Sequence, residues 1–322
     1  MKYTVLVVTY NRAKFIRKCL DSIFNQTYKN FELVVVDDGS TDNTKEIIDE
    51  YKKMYKFRYY YKKNTGVGDT RNYAISKVKT KYFMFVDSDD YIEKDILEKC
   101  SKFDDYDLLC FRGYRVLESG EIIETLYKEE FYCYDGNQTL KSFINKNSLF
   151  LVPWGYIYNI DVFKKNNLKY EKDYVMEDAG LTPIIILNSK NVISIDSYGY
   201  YYVQTDESII RTKNQKKIDL KTKSILFHVD NLYKYINDNV SDEELKMILI
   251  NYLSRFLIWY GTTLDKENLK KYVKELKKRR VIEQLEMCGL TNKIKKILCS
   301  IDYRLYYNFY GKMRIFKDKI KG

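Results

Sequence analysis

Three aspartates close a short apolar run in KYFMFVDSDDYI, Lys81 to Ile92. Tyr82 to Val86 is too short and too aromatic for a helix, and it reads as a buried strand. Asp87, Asp89 and Asp90 stand at its end, with Ser88 among them. Carboxylates at the end of a buried strand are costly unless a cation or hydrogen-bond donors compensate them. Alternating carboxylates offer hard oxygen ligands, which suit Mg2+ or Mn2+ better than zinc. Alone, the triplet reads more readily as a loop whose aspartates cap the next helix.

Other stretches offer complementary chemistry. Tyr10 supplies an aromatic face and Asp37 an acceptor, a pair suited to stacking on a base and accepting a ring N–H. Gly66 and Gly68 allow the backbone to approach an anion, and Arg71 lies one turn into the helix that follows. Glu177-Asp178 opens an apolar helical pattern, where acidic residues also suit the macrodipole. Trp154 offers a broad aromatic face that suits either a ligand platform or the core.

The elements that must position these residues follow a clear rhythm. Thr4–Thr9 and Phe31–Val36 are buried-strand runs. Asn11 is placed to cap a helix beginning near Arg12, and Ser40–Thr44 to cap a helix carrying Ile47, Ile48 and Tyr51. Phe57, Tyr59 and Tyr61 mark a third, less buried strand, and a helix follows Asn64–Gly68. Strand alternating with helix predicts βαβ units and a mainly parallel sheet, with ligands outside the carboxyl ends of its strands. Thr9-Tyr10, Asp37-Asp38 and Asp87–Asp89 all fall at such ends. Beyond Asp95 the rhythm loosens, and after Asn214 the pattern is helical, with Ser241 and Glu244 forming a capping box.

Composition narrows the classes. With 322 residues, 45% of them hydrophobic, the chain has a sizeable core and more than one folding unit. Six cysteines lie far apart without a CxxC pair, which favours reduced thiols over a disulfide framework or zinc site. The single histidine, His228, excludes multi-His metal sites. No apolar stretch is long enough to span a bilayer and no signal-peptide pattern opens the chain, so the expected location is cytoplasmic. The net charge of +11 calls for an anionic partner. Thr291–Gly322 holds nine Lys or Arg against two Asp, so much of the charge belongs to the tail. A peripheral contact with the inner face of the cell membrane, a partner protein, an oligomer contact and a solvated helical face all remain open for that tail. Nucleic acid is not expected.

Five motifs in order resemble family 2 glycosyltransferases of the GT-A fold. They are VVTYNR (Val7–Arg12), VVVDDGSTDNT (Val34–Thr44), NTGVGDTRN (Asn64–Asn72), FVDSDD (Phe85–Asp90) and MEDAGL (Met176–Leu181). The resemblance implies an α/β GT-A domain over residues 1–212, with a nucleotide-sugar half up to about residue 100 and an acceptor half after it. A basic, all-helical extension would occupy residues 213–322. It implies inverting, metal-dependent transfer from a nucleotide sugar, chiefly a UDP-sugar, to a glycan or lipid-linked acceptor of bacterial surface polysaccharide. Thr9, Tyr10, Asn11 and Asp37 would serve the nucleotide; Gly66, Arg71, Asp87 and Ser88 would serve the phosphates and ribose. Asp89, with Asp87, would ligate Mn2+ or Mg2+; Asp178, with Glu177 beside it, would be the base. Trp154 would face the acceptor, and Arg211 in YYVQTDESIIR would close over the phosphates. Two departures matter: Val8-Thr9 replaces a common proline before Tyr-Asn, and the Q-x-x-R-W signature of processive synthases is absent. Single-sugar transfer is therefore expected. The alternative is a non-catalytic nucleotide- or carbohydrate-binding protein on a degenerate scaffold, against which the intact DSDD and ED motifs argue.

Overall fold

A computed structural model of the chain describes residues 1–149, 151–205, 214–281, 283 and 307. Two compact units are present, Met1–Ser224 and Ile225–Gly322. The expected boundary near Thr212, the proposed closing residue Arg211 and, apart from Tyr307, the basic tail after Thr291 lie outside the described residues.

The first unit opens as the hydrophobic pattern predicts, with β1 (Tyr3–Thr9), α1 (Ile16–Phe24), β2 (Phe31–Asp37), α2 (Thr44–Met54), β3 (Arg58–Tyr61), α3 (Val67–Ser76) and β4 (Tyr82–Asp87). It continues through β5 (Tyr91–Ile92), α4 (Ile96–Ser101), β6 (Leu108–Leu117), β7 (Ile122–Leu126), β8 (Phe131–Tyr134) and α5 (Gly136–Asn145). Then come β9 (Tyr156–Asn159), α6 (Ile160–Lys165), α7 (Glu177–Leu187) and β10 (Val192–Gln204). Every residue of β1 is buried, as a strand covered on both faces requires. Ile16, Cys19, Leu20 and Ile23 form the buried stripe of α1.

The described strands form one mixed sheet in the order β3-β2-β1-β4-β9-β6-β10-β5, with β7 on β6 and β8 on β10. The run β3-β2-β1-β4 is parallel throughout. β9 inserts antiparallel between β4 and β6, and β10 lies parallel to β6. The chain builds outward from β1 to β3 and then returns to place β4 on the other side of β1. That reversal is a topological switch point, where an open α/β sheet leaves a crevice at its strand ends. The register sets Thr9 opposite Asp37, and Val8 opposite Asp87.

Local details differ from the sequence reading. α1 begins at Ile16 rather than near Arg12, because Asn11 takes a left-handed conformation and its side chain serves another loop. Ser40–Thr44 likewise works mainly across the loops: Ser40 Oγ, Thr44 Oγ1 and Asp42 Oδ2 accept the N–H groups of Asn11, Arg12 and Ala13. The tyrosine run of Tyr198 and Tyr200–Tyr202 lies within β10, which shifts register against β6 on either side of Tyr198.

The helix α8 (Gln215–Asn239) carries the division between the units, and α9 (Glu243–Gly261) and α10 (Lys266–Lys278) follow. In the second unit Leu245, Leu249, Leu253 and Leu257 make one buried row on α9, and the Tyr272 hydroxyl donates to Leu257 O at 2.9 Å. The cap of α9 is Asp242, which accepts from Leu245 N–H, in place of the expected Ser241. Among the described residues no helix is long and apolar enough to cross a membrane.

Candidate active site

The acidic cluster divides its labour. Asp90 is buried and structural: its carboxylate accepts from the Tyr200 hydroxyl at 2.7 Å and from Val203 N–H at 2.8 Å. Tyr200 in turn accepts from Asp87 N–H at 3.0 Å, so β10 fixes the end of β4. Burial pushes the Asp90 carboxyl well up, with the charges of Asp89 and Asp87 adding to the shift. Asp87 and Asp89 are the accessible members, their side chains 24% and 25% exposed. Asp89 lies 3.3 Å from Arg12 Nε. Burial, then the charge of Asp87, raises its carboxyl, and Arg12 works against that rise. Ser88 is buried between them.

Arg71 is the hub of the second half of the site. Its guanidinium pairs with Glu177 and, at 2.9 Å, with Asp87 Oδ1. The rings of Phe85 and Tyr170 each lie 5.7 Å from its Cζ. Arg71 is only 6% exposed, and both of its ion pairs are to carboxylates of the site. Glu177 is equally buried and acts as its counter-ion.

Asp178 is left half-buried in the first turn of α7. Burial pushes its carboxyl up to about 6, against the pull of Arg71 and a hydrogen bond from Ala179 N–H. Met176, which precedes the pair, holds a left-handed backbone at φ 55°. Non-glycine residues adopt that conformation only where surrounding contacts enforce it.

The β1 and β2 ends form the opposite wall. Tyr10 is 45% exposed, leaving a ring available for stacking. Thr9 is buried and its Oγ1 has no hydrogen-bond partner among the described residues. Asp37 is fully buried and accepts from Ser40 N–H at 2.7 Å and from the Tyr59 hydroxyl at 3.2 Å. Asn11 Oδ1 accepts Thr41 N–H at 2.8 Å, which makes it a brace between the two loops. Asp38 shapes the glycine loop: its oxygens accept Thr65 and Gly66 N–H, both at 3.0 Å, and Lys62 Nζ at 2.5 Å. Gly66, at φ 92°, then opens α3.

Not every candidate joins this constellation. Trp154 is 4% exposed and stacks on Tyr200 with centroids 4.5 Å apart, so it is a core residue beneath the site instead of an open platform. Sequence reasoning also gave no role to Tyr200, Asn72, Tyr170 or Lys62. Asn72 stood inside a quoted motif and Tyr200 inside a tyrosine run, but Tyr170 carries no local signal.

A switch-point crevice ringed by carboxylates and one buried arginine defines an α/β protein with an acidic strand-end site. Its relatives place it further. A profile of glycosyl transferase family 2 matches residues 4–166, just over half the chain, and the chain belongs to that family. It is 34% identical over 232 residues to the glycosyltransferase GlyA of Streptococcus pneumoniae serotype 4, across 67% of this chain and 32% of that protein. Identity is 29% over 215 residues to the poly(ribitol-phosphate) beta-N-acetylglucosaminyltransferase TarS of Staphylococcus aureus strain MW2, across 64% of this chain and 36% of TarS. The chain thus spans about a third of each. Its fold is that of residues 1–349 of S. aureus TarS, solved in complex with UDP-GlcNAc. The TM-score is 0.75 at 23% identity, covering 98% of this chain and 92% of that one. The GT-A architecture expected from the motifs is the one observed. Glu177 and Asp178 lie past the last residue the profile matches, so only the fold brings them to the strand ends.

Proposed function

We propose that the chain transfers a sugar from a nucleoside diphosphate sugar, a UDP-sugar, to a glycan or lipid-linked acceptor with inversion at the anomeric carbon. The observation that carries this reading is Asp178, a half-buried carboxyl raised to about 6 and linked through the Arg71 network to strand-end Asp87. Such a group is ionised at neutral pH yet basic enough to take a proton from an attacking hydroxyl. As the acceptor oxygen bonds to the anomeric carbon, its proton passes to Asp178. The bond from that carbon to the diphosphate breaks on the opposite face, and the bonding pair leaves with UDP.

The chain's other residues bind and orient. Tyr10 stacks on the base, with Thr9 and Asp37 at its polar edge. The amino end of α3 after Gly66 favours the diphosphate through its free N–H groups and dipole. Asp87 and Asp89 fit Mg2+ or Mn2+ as a pair of hard, partly exposed carboxylates whose mutual repulsion a cation relieves. Two carboxylates would leave most of the octahedral positions of such a cation to donor phosphates and water. When bound there, the cation supplies neutralisation of the charge developing on the leaving diphosphate.

UDP release from a panel of UDP-sugars, with and without chelator and across glycan and lipid-linked acceptors, tests the proposal. Transfer that needs Asp178 supports it. Tight UDP-sugar binding without release on any acceptor would indicate the binding-protein alternative.

A further inference from the structure

The segment that leads to Asp178 is held by one face of α3. Gly68, Arg71 and Asn72 stand at i, i+3 and i+4, so they share a side of the helix. Each makes a separate contact with that segment. A Cβ on Gly68 would lie 2.2 Å from Glu171 O, so only glycine lets the helix approach this closely. Arg71 pairs with Glu177. Asn72 closes a two-way bridge: its Oδ1 accepts Tyr170 N–H at 2.9 Å and its Nδ2 donates to Tyr170 O at 2.8 Å. The Tyr170 ring then lies against the Arg71 guanidinium, whose other arm holds Asp87.

We propose that Gly68, Arg71 and Asn72 form a clasp that positions Asp178 against the strand-end carboxylate Asp87. The second half of NTGVGDTRN therefore acts on the base-bearing segment, and only its first half, around Gly66, faces the donor. This rests on the reading of Asp178 as base. The three are positioning residues, because none of them need touch a reacting atom.

The test compares Arg71→Lys, Asn72→Ala and Gly68→Ala in the full chain. Lysine keeps the charge of Arg71 but cannot span both carboxylates with a planar fork. UDP affinity is measured by calorimetry, kcat and KM by UDP release, and backbone hydrogen exchange by mass spectrometry. A clasp predicts kcat lower by about a hundred-fold from misplacement of the base and faster exchange confined to residues 168–178 in all three variants, with UDP affinity unchanged in Asn72→Ala, whose side chain bonds Tyr170 alone. Loss of UDP affinity with kcat preserved at saturating donor would overturn the proposal and return Arg71 to the phosphates. Exchange at 168–178 unchanged in all three variants would overturn it too, as would loosening spread through the chain in all three. Should Asp178→Asn keep wild-type turnover, the base reading fails by itself. Should no donor or acceptor support transfer, exchange decides the matter: confined loosening supports the clasp and its absence refutes it.

Discussion

Asp178 turns the proposed chemistry into a pH measurement. Burial raises its carboxyl to about 6, opposed by Arg71, where an unperturbed aspartate titrates near ~3.9. The base must be ionised to act, so protonation removes activity. Accordingly, kcat/KM for the acceptor should climb with pH through about 6 and level off above it. One unit below the midpoint, only about a tenth of the enzyme is competent, and each further unit costs about ten-fold. An unshifted aspartate would keep activity flat down to about pH 4. Replacing the carboxylate by an amide removes the proton acceptor while keeping the volume. Asp178→Asn should lower kcat by about 10²–10⁴-fold, or about 3–5 kcal/mol of barrier, with UDP affinity unchanged. The assay is UDP release at constant ionic strength across the acid limb, beside calorimetry with UDP. An acid limb centred near 4, or wild-type turnover in Asp178→Asn, would refute the assignment.

Three further perturbations probe other parts of the first unit. Asp89→Ala should abolish the stimulation of transfer by Mn2+ or Mg2+ and cost about 10²-fold or more in kcat; a fully active variant would remove Asp89 from the metal site. Tyr200→Phe deletes the hydroxyl between Asp87 N–H and the buried Asp90 carboxylate. Urea unfolding should show a loss of about 1–3 kcal/mol, and an unchanged midpoint would deny the link between β10 and β4 any energetic role. Lys128 is buried, donates to Gly155 O at 2.8 Å, and burial lowers its ammonium to about 8. The unfolded chain holds that proton up to about 10.4, so Lys128's own contribution to stability should rise between about pH 8 and 10.4 by an amount on the order of 3 kcal/mol, against the opposing loss from buried thiols such as Cys19 that burial pushes up. Lys128→Met should flatten the rise and leave Gly155 O its bond from Phe111 N–H; a rise equal to wild type would place the titration elsewhere.

Much of the site was legible because its parts lie at strand ends. An apolar run that stops at a carboxylate marks both the strand and its terminus, so Thr9, Asp37 and Asp87 could be placed in one crevice before their contacts were known. The βαβ rhythm supplied the parallel order for the same reason. Where side chains act across loops, local rules misled: Asn11 and Ser40–Thr44 have good capping chemistry, but most of their bonds run between loops. Trp154 shows the same limit, since an indole in a loop carries no mark of the tyrosine stacked on it.

By itself the sequence determined the type of each strand and helix from β1 to β4, the motif residues, and which aspartates could do chemistry. Hydrophobic period and turn chemistry are local properties, so a single chain carries them in plain order. Tertiary structure alone decided the partners. Arg71 and Glu177 lie 106 positions apart, and Tyr200 is separated from Asp87 by 113. Their pairing depends on how β9, β6 and β10 extend the sheet beyond β4. Burial, which sets the charge balance at Asp178, Asp90 and Lys128, exists only once that sheet is assembled.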